Sequence, residues 1–222
     1  MSNVTRVNLW GFVNAYLVRD DDGLTLVDTT MAQGAKRILA AAAELEAPIV
    51  RIALTHAHMD HAGGLDRLRA SLPDAEVIIS ERDARLLRKD KSLDPGEPQR
   101  KIPGTFQMVH TRPTRTVRDG EHVGSLRVIA NPGHTPGHVA YFDERDATLL
   151  CGDTYSTLGG VATSAKLNPR FPLIIMGTWQ RPMVLDSARA LRALDPARLA
   201  PGHGHIVESP GAQMDAAIAR AA

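Results

Sequence analysis

The segment Thr55-His56-Ala57-His58-Met59-Asp60-His61 constrains this chain more than any other. It directly follows Ile49–Leu54, a compact apolar run of the kind that forms a buried strand. Alternate residues on an extended chain point to one side, so His56 and His58 can face one site. Asp60 and His61 come just after them, where Ala62-Gly63-Gly64 begins a turn. Three imidazoles and a carboxylate at this density form a set of metal ligands. A polar loop with chance histidines is the weaker reading, because the loop is Gly-rich and leaves the end of a strand.

Three further segments repeat the pattern. Asn131-Pro132-Gly133-His134-Thr135-Pro136-Gly137-His138 follows one strand-like run, and Ala200-Pro201-Gly202-His203-Gly204-His205 follows another. Leu149-Leu150-Cys151-Gly152-Asp153 ends a third on an acid. Gly and Pro beside each candidate ligand shape the turn and let the backbone approach a metal closely. Four strand ends, each delivering His or Asp, predict a site at one edge of the sheets.

The surrounding pattern is α/β. Strand-like runs Val4–Trp10, Val13–Arg19 and Leu24–Asp28 are joined by hairpin-like turns, and a helical pattern covers Ala35–Leu45. Helices are expected over Leu65–Ala70, Glu81–Arg88, Met183–Leu194 and Ala212–Ala221, with strands over Glu76–Ile79, Thr114–Val117, Leu126–Ala130, His138–Phe142 and Thr148–Cys151. Lys89–Pro113 and Thr154–Pro172 read as long loops of the kind that shape a pocket. No linker interrupts this order, so residues 1–222 are expected to form one domain of two α/β halves, each a sheet with helices on its outer face.

The bulk numbers exclude several classes. Net charge is +1, with 43% hydrophobic and 23% charged residues, so no strong field draws the chain to nucleic acid or anionic membrane. No run is apolar and long enough to span a bilayer. One cysteine, Cys151, rules out an internal disulfide framework, and its apolar setting reads as a buried small hydrophobe. The first residues lack the pattern of a secretory leader, so a cytoplasmic location is expected.

The four metal-ligand segments, in this order, resemble those of the metallo-β-lactamase-fold superfamily over nearly the full chain. The resemblance implies a four-layer αββα sandwich. Residue by residue, it implies that His56, His58 and His134 bind one metal, that Asp60, His61 and His203 bind a second, and that Asp153 bridges both. Zinc suits imidazole and carboxylate ligands, and manganese or iron would also fit. The implied reaction is hydrolysis, with a hydroxide shared by two divalent ions as nucleophile and Asp60 orienting it.

Within the superfamily the full ligand set is similar to that of glyoxalase II and the acyl-homoserine lactone lactonases, so a lactone or thioester is the expected small-molecule substrate. About twenty residues follow His203, too few for the helical glutathione-binding domain of glyoxalase II. The bridging Asp153 argues against a β-lactamase. A phosphodiesterase would call for a basic cluster at the pocket, and an iron sulfur dioxygenase would need fewer ligands. A non-catalytic metal-stabilised module is the alternative from another class. Tyr155 lies near the position of a lactonase tyrosine and reads either as a donor to substrate oxygen or as a packed ring. Trp10 and Phe12, at the tip of the first hairpin, read as an apolar wall for substrate or as packing on a neighbouring loop. His138 and His205 adjoin ligands, while His110 and His122 lie outside every motif. No nucleic-acid or membrane partner is expected, and a homodimer is left open.

Overall fold

The computed structural model describes residues 3–222. The first sheet contains β1 (Val4–Leu9), β2 (Val13–Asp20), β3 (Gly23–Val27), β4 (Ile49–Ala53), β5 (Glu76–Ser80) and β6 (Arg115–Val117), in that spatial order. β1, β2 and β3 pair antiparallel, whereas β3 to β6 run parallel. The parallel connections are made by α1 (Ala35–Glu44), α2 (Met59–Ala62), α3 (Leu65–Ser71) and α4 (Glu81–Leu86).

The second sheet is built from β7 (His122–Val123), β8 (Leu126–Ala130), β9 (Val139–Asp143) and β10 (Thr148–Gly152). A small hairpin of β11 (Tyr155–Ser156) and β12 (Ala162–Thr163) follows, then α5 (Leu173–Met176) and α6 (Arg181–Ala193). β13 (Arg198–Pro201) joins this sheet parallel to β10, β14 (Val207–Glu208) closes its edge, and α7 (Gly211–Ala221) ends the chain.

The two-residue period of the strands sorts side chains into three apolar layers. In β2, Ala15 and Leu17 pack outward with Ile38 and Leu68 of the helices, while Tyr16 and Val18 face the other sheet. In β9 and β10, Val139, Tyr141 and Leu150 enter that central layer, and Ala140, Phe142, Leu149 and Cys151 pack outward with Ala188 and Leu191 of α6 and Met214 of α7. The result is the expected αββα sandwich, with strand ends meeting along one edge. Tyr141 crosses the central layer and donates its buried hydroxyl to the Leu54 carbonyl at 3.0 Å, which removes the cost of burying it unpaired. Burial pushes the Cys151 thiol well above its ordinary range and keeps it inert.

Three local expectations are corrected. Thr154–Pro172 is not wholly loop, because it holds the β11–β12 hairpin. Asp60 and His61 lie on the short helix α2 and not in an open turn. The β9 strand begins at Val139, after His138. Among the described residues no helix is long and apolar enough to cross a membrane.

Candidate metal centre

Four strand ends deliver the predicted ligands. β4 runs into Leu54 and Thr55, after which His56 and His58 leave the sheet and α2 carries Asp60 and His61. The turns after β8, β10 and β13 bring His134, Asp153 and His203 to the same edge. His56 Nε2 lies 3.1 Å from His58 Nδ1, which lies 3.0 Å from His134 Nε2. His61 Nε2 and His203 Nε2 each lie 3.3 Å from an oxygen of Asp153, and His203 Nε2 lies 3.4 Å from Asp60 Oδ2. His134 Nε2 lies 3.4 Å from Asp153 Oδ2, so Asp153 stands between the two groups. Ligands around a tetrahedral zinc at about 2.0–2.1 Å sit roughly 3.3 Å apart, close to these separations.

Hydrogen bonds on the far side of each ring determine which nitrogen is free to coordinate. The Thr55 hydroxyl donates to Asp28 and faces His56 Nδ1 at 3.0 Å, so that nitrogen carries the proton and Nε2 keeps its lone pair. Thr178 donates to the Ile174 carbonyl and faces His134 Nδ1 at 3.0 Å, with the same consequence. His61 Nδ1 donates to Asp28 Oδ2 at 2.8 Å, and His203 Nδ1 donates to the Phe12 carbonyl at 2.9 Å. His58 alone turns Nδ1 inward.

Electrostatics separate the two groups. Burial, reinforced by neighbouring imidazoles, holds His56 and His134 well below the usual histidine range, and burial lowers His58 to about 4. These rings are neutral and can bind a cation. At His61 burial is outweighed by Asp153, Asp28 and Asp60, and at His203 by Asp153 and Asp60, so both are raised, His203 to about 9. The same pairing outweighs burial at Asp60 and Asp153 and keeps both carboxylates ionised. The first group offers neutral imidazoles directly, and in the second a cation would displace the protons that His61 and His203 share with Asp60 and Asp153; together they are a donor set that fits two divalent ions.

Close packing leaves the ligands little freedom. A Cβ added to Gly202 would sit 2.4 Å from Asp153 Oδ1, and one added to Gly104 would sit 2.1 Å from His58 Nε2. Asp83, buried at the first turn of α4, accepts from Ala57 N at 3.0 Å, Thr135 Oγ1 at 2.7 Å and Gly137 N at 2.8 Å. One carboxylate thus ties the His56–His58 loop to the His134 turn. His138 accepts from Asp153 N–H at 3.0 Å and donates to Asn131, so it supports the acid and does not join the ligands.

The other candidates divide. Phe12 lines a cleft of about 490 Å³ above the ligands, with its ring edge-on to Phe171 at 5.5 Å and 4.9 Å from the His203 ring. Trp10 does not line it: Trp10 and Gly11 take left-handed backbone angles in the tight turn after β1, and the indole is 66% exposed. Of the two readings of Tyr155, the packed ring fits the structure and the donor to substrate does not. Tyr155 is fully buried beneath α6, and its hydroxyl donates to the Ala188 carbonyl at 2.8 Å, so it cannot reach a substrate. His110, His122 and His205 are exposed and outside the cluster. Sequence reasoning missed Asp28, Asp83 and Thr178. Only Asp28 left a trace, as an acid closing the apolar run of β3 in the way Asp153 closes β10.

Residues 8–203 match the metallo-beta-lactamase superfamily. YobT of Bacillus subtilis (strain 168) is 41% identical over 94% of this chain and 90% of its own length. A hydroxyacylglutathione hydrolase of Synechococcus sp. (strain JA-2-3B'a(2-13)) is 37% identical over 63% of this chain, and the match spans 47% of that enzyme. The crystal structure of TTHA1623 in a di-iron-bound form superposes with a TM-score of 0.69 at 27% identity, covering 93% of this chain and 96% of the other. Fold, site and sequence agree: the chain belongs to the metallo-beta-lactamase superfamily.

Proposed function

We propose that this metallo-hydrolase binds two divalent ions and cleaves an ester-type carbonyl, a lactone or a thioester, carrying an apolar substituent. The observation that carries the reading is the convergence of five imidazoles and two carboxylates at the floor of an apolar cleft. His56, His58 and His134 would hold one ion, Asp60, His61 and His203 the other, and Asp153 both. Zinc is the metal proposed, with manganese and iron as the alternatives. Bound there, the pair would supply Lewis acidity and a water acidic enough to attack near neutral pH.

The chain's own residues supply the rest. Asp60 is the proposed ligand most open to the cleft, its side chain 27% exposed against 0% for His61 and 2% for His203. Positive charge beside it, from the paired imidazoles here and from a bound cation in their place, keeps it ionised, so it can accept a hydrogen from the attacking water, orient it, and pass that proton to the leaving oxygen or sulfur. Phe12, Phe171 and Ile174 exclude water and receive the apolar group. Among the described residues no Lys or Arg lines the cleft, which favours a neutral carbonyl over a phosphodiester.

The test is hydrolysis by zinc-, manganese- and iron-loaded protein across lactones of varied chain length, a glutathione thioester, a cephalosporin and a phosphodiester. Turnover of a lactone or the thioester, lost together with metal in His58→Ala and Asp153→Ala, is expected. Full turnover in either variant, or turnover of the phosphodiester alone, would overturn the proposal.

A further inference from the structure

A second cleft, of about 610 Å³, lies between the β11–β12 hairpin, the segment that follows it, and α7. It shares no residue with the metal cleft, yet the two are neighbours along the chain: Arg170 lines one and Phe171 the other. Its charge is one-sided. Among the described residues Lys166, Arg170 and Arg220 line it and no Asp or Glu does, in a protein whose net charge is +1. By contrast, Arg192 of the neighbouring α6 is paired with Asp215 of α7. None of the three cleft cations has a carboxylate partner among the described residues, although Arg220 donates one bond to the Val161 carbonyl at 2.7 Å.

The cations sit on a built frame. A Cβ on Gly159 would lie 2.4 Å from Arg170 Cβ, so the glycine lets the arginine stem lie flat against the hairpin tip. Asn168 accepts from Arg170 N–H at 3.1 Å and donates to the Leu158 carbonyl at 2.9 Å, closing that segment onto the hairpin. Val161, Ala217 and Leu167 supply an apolar lining. Thr163 also lines the cleft and is 1% exposed, and its hydroxyl has no hydrogen-bond partner among the described residues. An unpaired buried hydroxyl is uncommon in native proteins. Three like charges around one concavity repel each other, and an anion relieves that repulsion more strongly where apolar walls lower the local dielectric.

We infer that this cleft binds a small organic anion, a carboxylate or phosphate with a short apolar body, separately from the metals. Hexanoate is the probe, titrated calorimetrically into zinc-loaded protein at low ionic strength, with hexylamine and hexanol as controls of charge. Hexanoate should bind and weaken with added salt, and neither control should match it. The double substitution Lys166→Ala with Arg170→Ala should weaken binding at least tenfold, and Arg170→Glu should weaken it further, both with unchanged zinc content. Both side chains are exposed, so the variants should fold. Equal affinity in the double variant would place the anion elsewhere, on the metals included. Equal binding of hexanol would reduce the cleft to an apolar groove, and no binding to the wild-type protein would leave it without a ligand. Each of these results would overturn the inference.

Discussion

Replacing Asp28 with Asn changes one atom, and its effect on the metals can be worked out. The carboxylate accepts from Thr55 N–H at 2.8 Å, from the Thr55 hydroxyl at 2.8 Å and from His61 Nδ1 at 2.8 Å. An amide has one oxygen for these three donors. With the amide nitrogen toward His61, Nδ1 must become an acceptor, and the ring proton moves to Nε2, the atom that faces Asp153. With the oxygen toward His61, the amide nitrogen opposes the buried Thr55 N–H and leaves it unpaired, at about 1–3 kcal/mol. The first orientation leaves no buried donor unpaired and is favoured, so the loss falls first on the ion that Asp60, His61 and His203 would hold, and should amount to about 10- to 100-fold in affinity. Competition against a chromophoric zinc chelator resolves the two affinities. The ion held by His56, His58 and His134 should weaken less, because Asp28 reaches that group only through Thr55. Thr55→Val should reverse the preference. Two unchanged affinities in Asp28→Asn, or equal losses at both sites, would refute the orientation argument.

Tyr155→Phe should leave turnover and metal content unchanged and cost about 1 kcal/mol of stability in urea unfolding, since the phenol bonds only the Ala188 carbonyl; loss of turnover would contradict its placement. Phe12→Ala should lower kcat/KM about tenfold or more for a hexanoyl ester and hardly affect an acetyl ester, because the ring meets the substrate tail while the bond to His203 comes from the backbone; equal losses for both esters would argue against an apolar wall. Burial, against bonds from Thr135, Gly137 and Ala57, raises Asp83 to about 6. The folded protein therefore binds that proton more tightly than the unfolded chain does. This contribution to stability is present below the ordinary aspartate range and lost as pH rises through about 6. The unfolding free energy of the wild-type protein minus that of Asp83→Asn should fall between pH 4 and pH 7, and a flat difference would contradict the burial account.

The ligands were legible because the chemistry is concentrated. Seven residues of two chelating types stand in four short segments, each at a strand end and flanked by glycine, and strand periodicity survives in the sequence as alternating apolar positions. The groups that orient the ligands were not legible, because their partners are remote. Asp28 meets His61 across 33 positions, Thr178 meets His134 across 44, and Asp83 meets Gly137 across 54. Nothing local marks a carboxylate that will accept a backbone N–H from another loop. Tyr155 carries two readings because nearness to Asp153 along the chain does not fix nearness in space. The chain enters β11 straight after the acid and turns the ring under α6, where apolar burial and the Ala188 carbonyl offer it more than solvent would. Trp10 was misread for a related reason, since a tight turn carries its first residue outward and only Phe12 inward.

The candidate ligands straddle the seam between the two sheets, with four on the β4 side and three on the other. Neither half alone can chelate as the whole does, so high-affinity uptake of the cation must wait for the halves to dock. The approach of His203 to His61, ring centroids 5.3 Å apart, spans 142 positions of chain, the kind of distant closure that is entropically slow to reach. Once closed, a bound ion would act as a clasp: at free metal a thousandfold above its dissociation constant, mass action would add about 4 kcal/mol against the halves separating. Metal supply in the cell would then govern the lifetime of the folded protein as well as its capacity for chemistry.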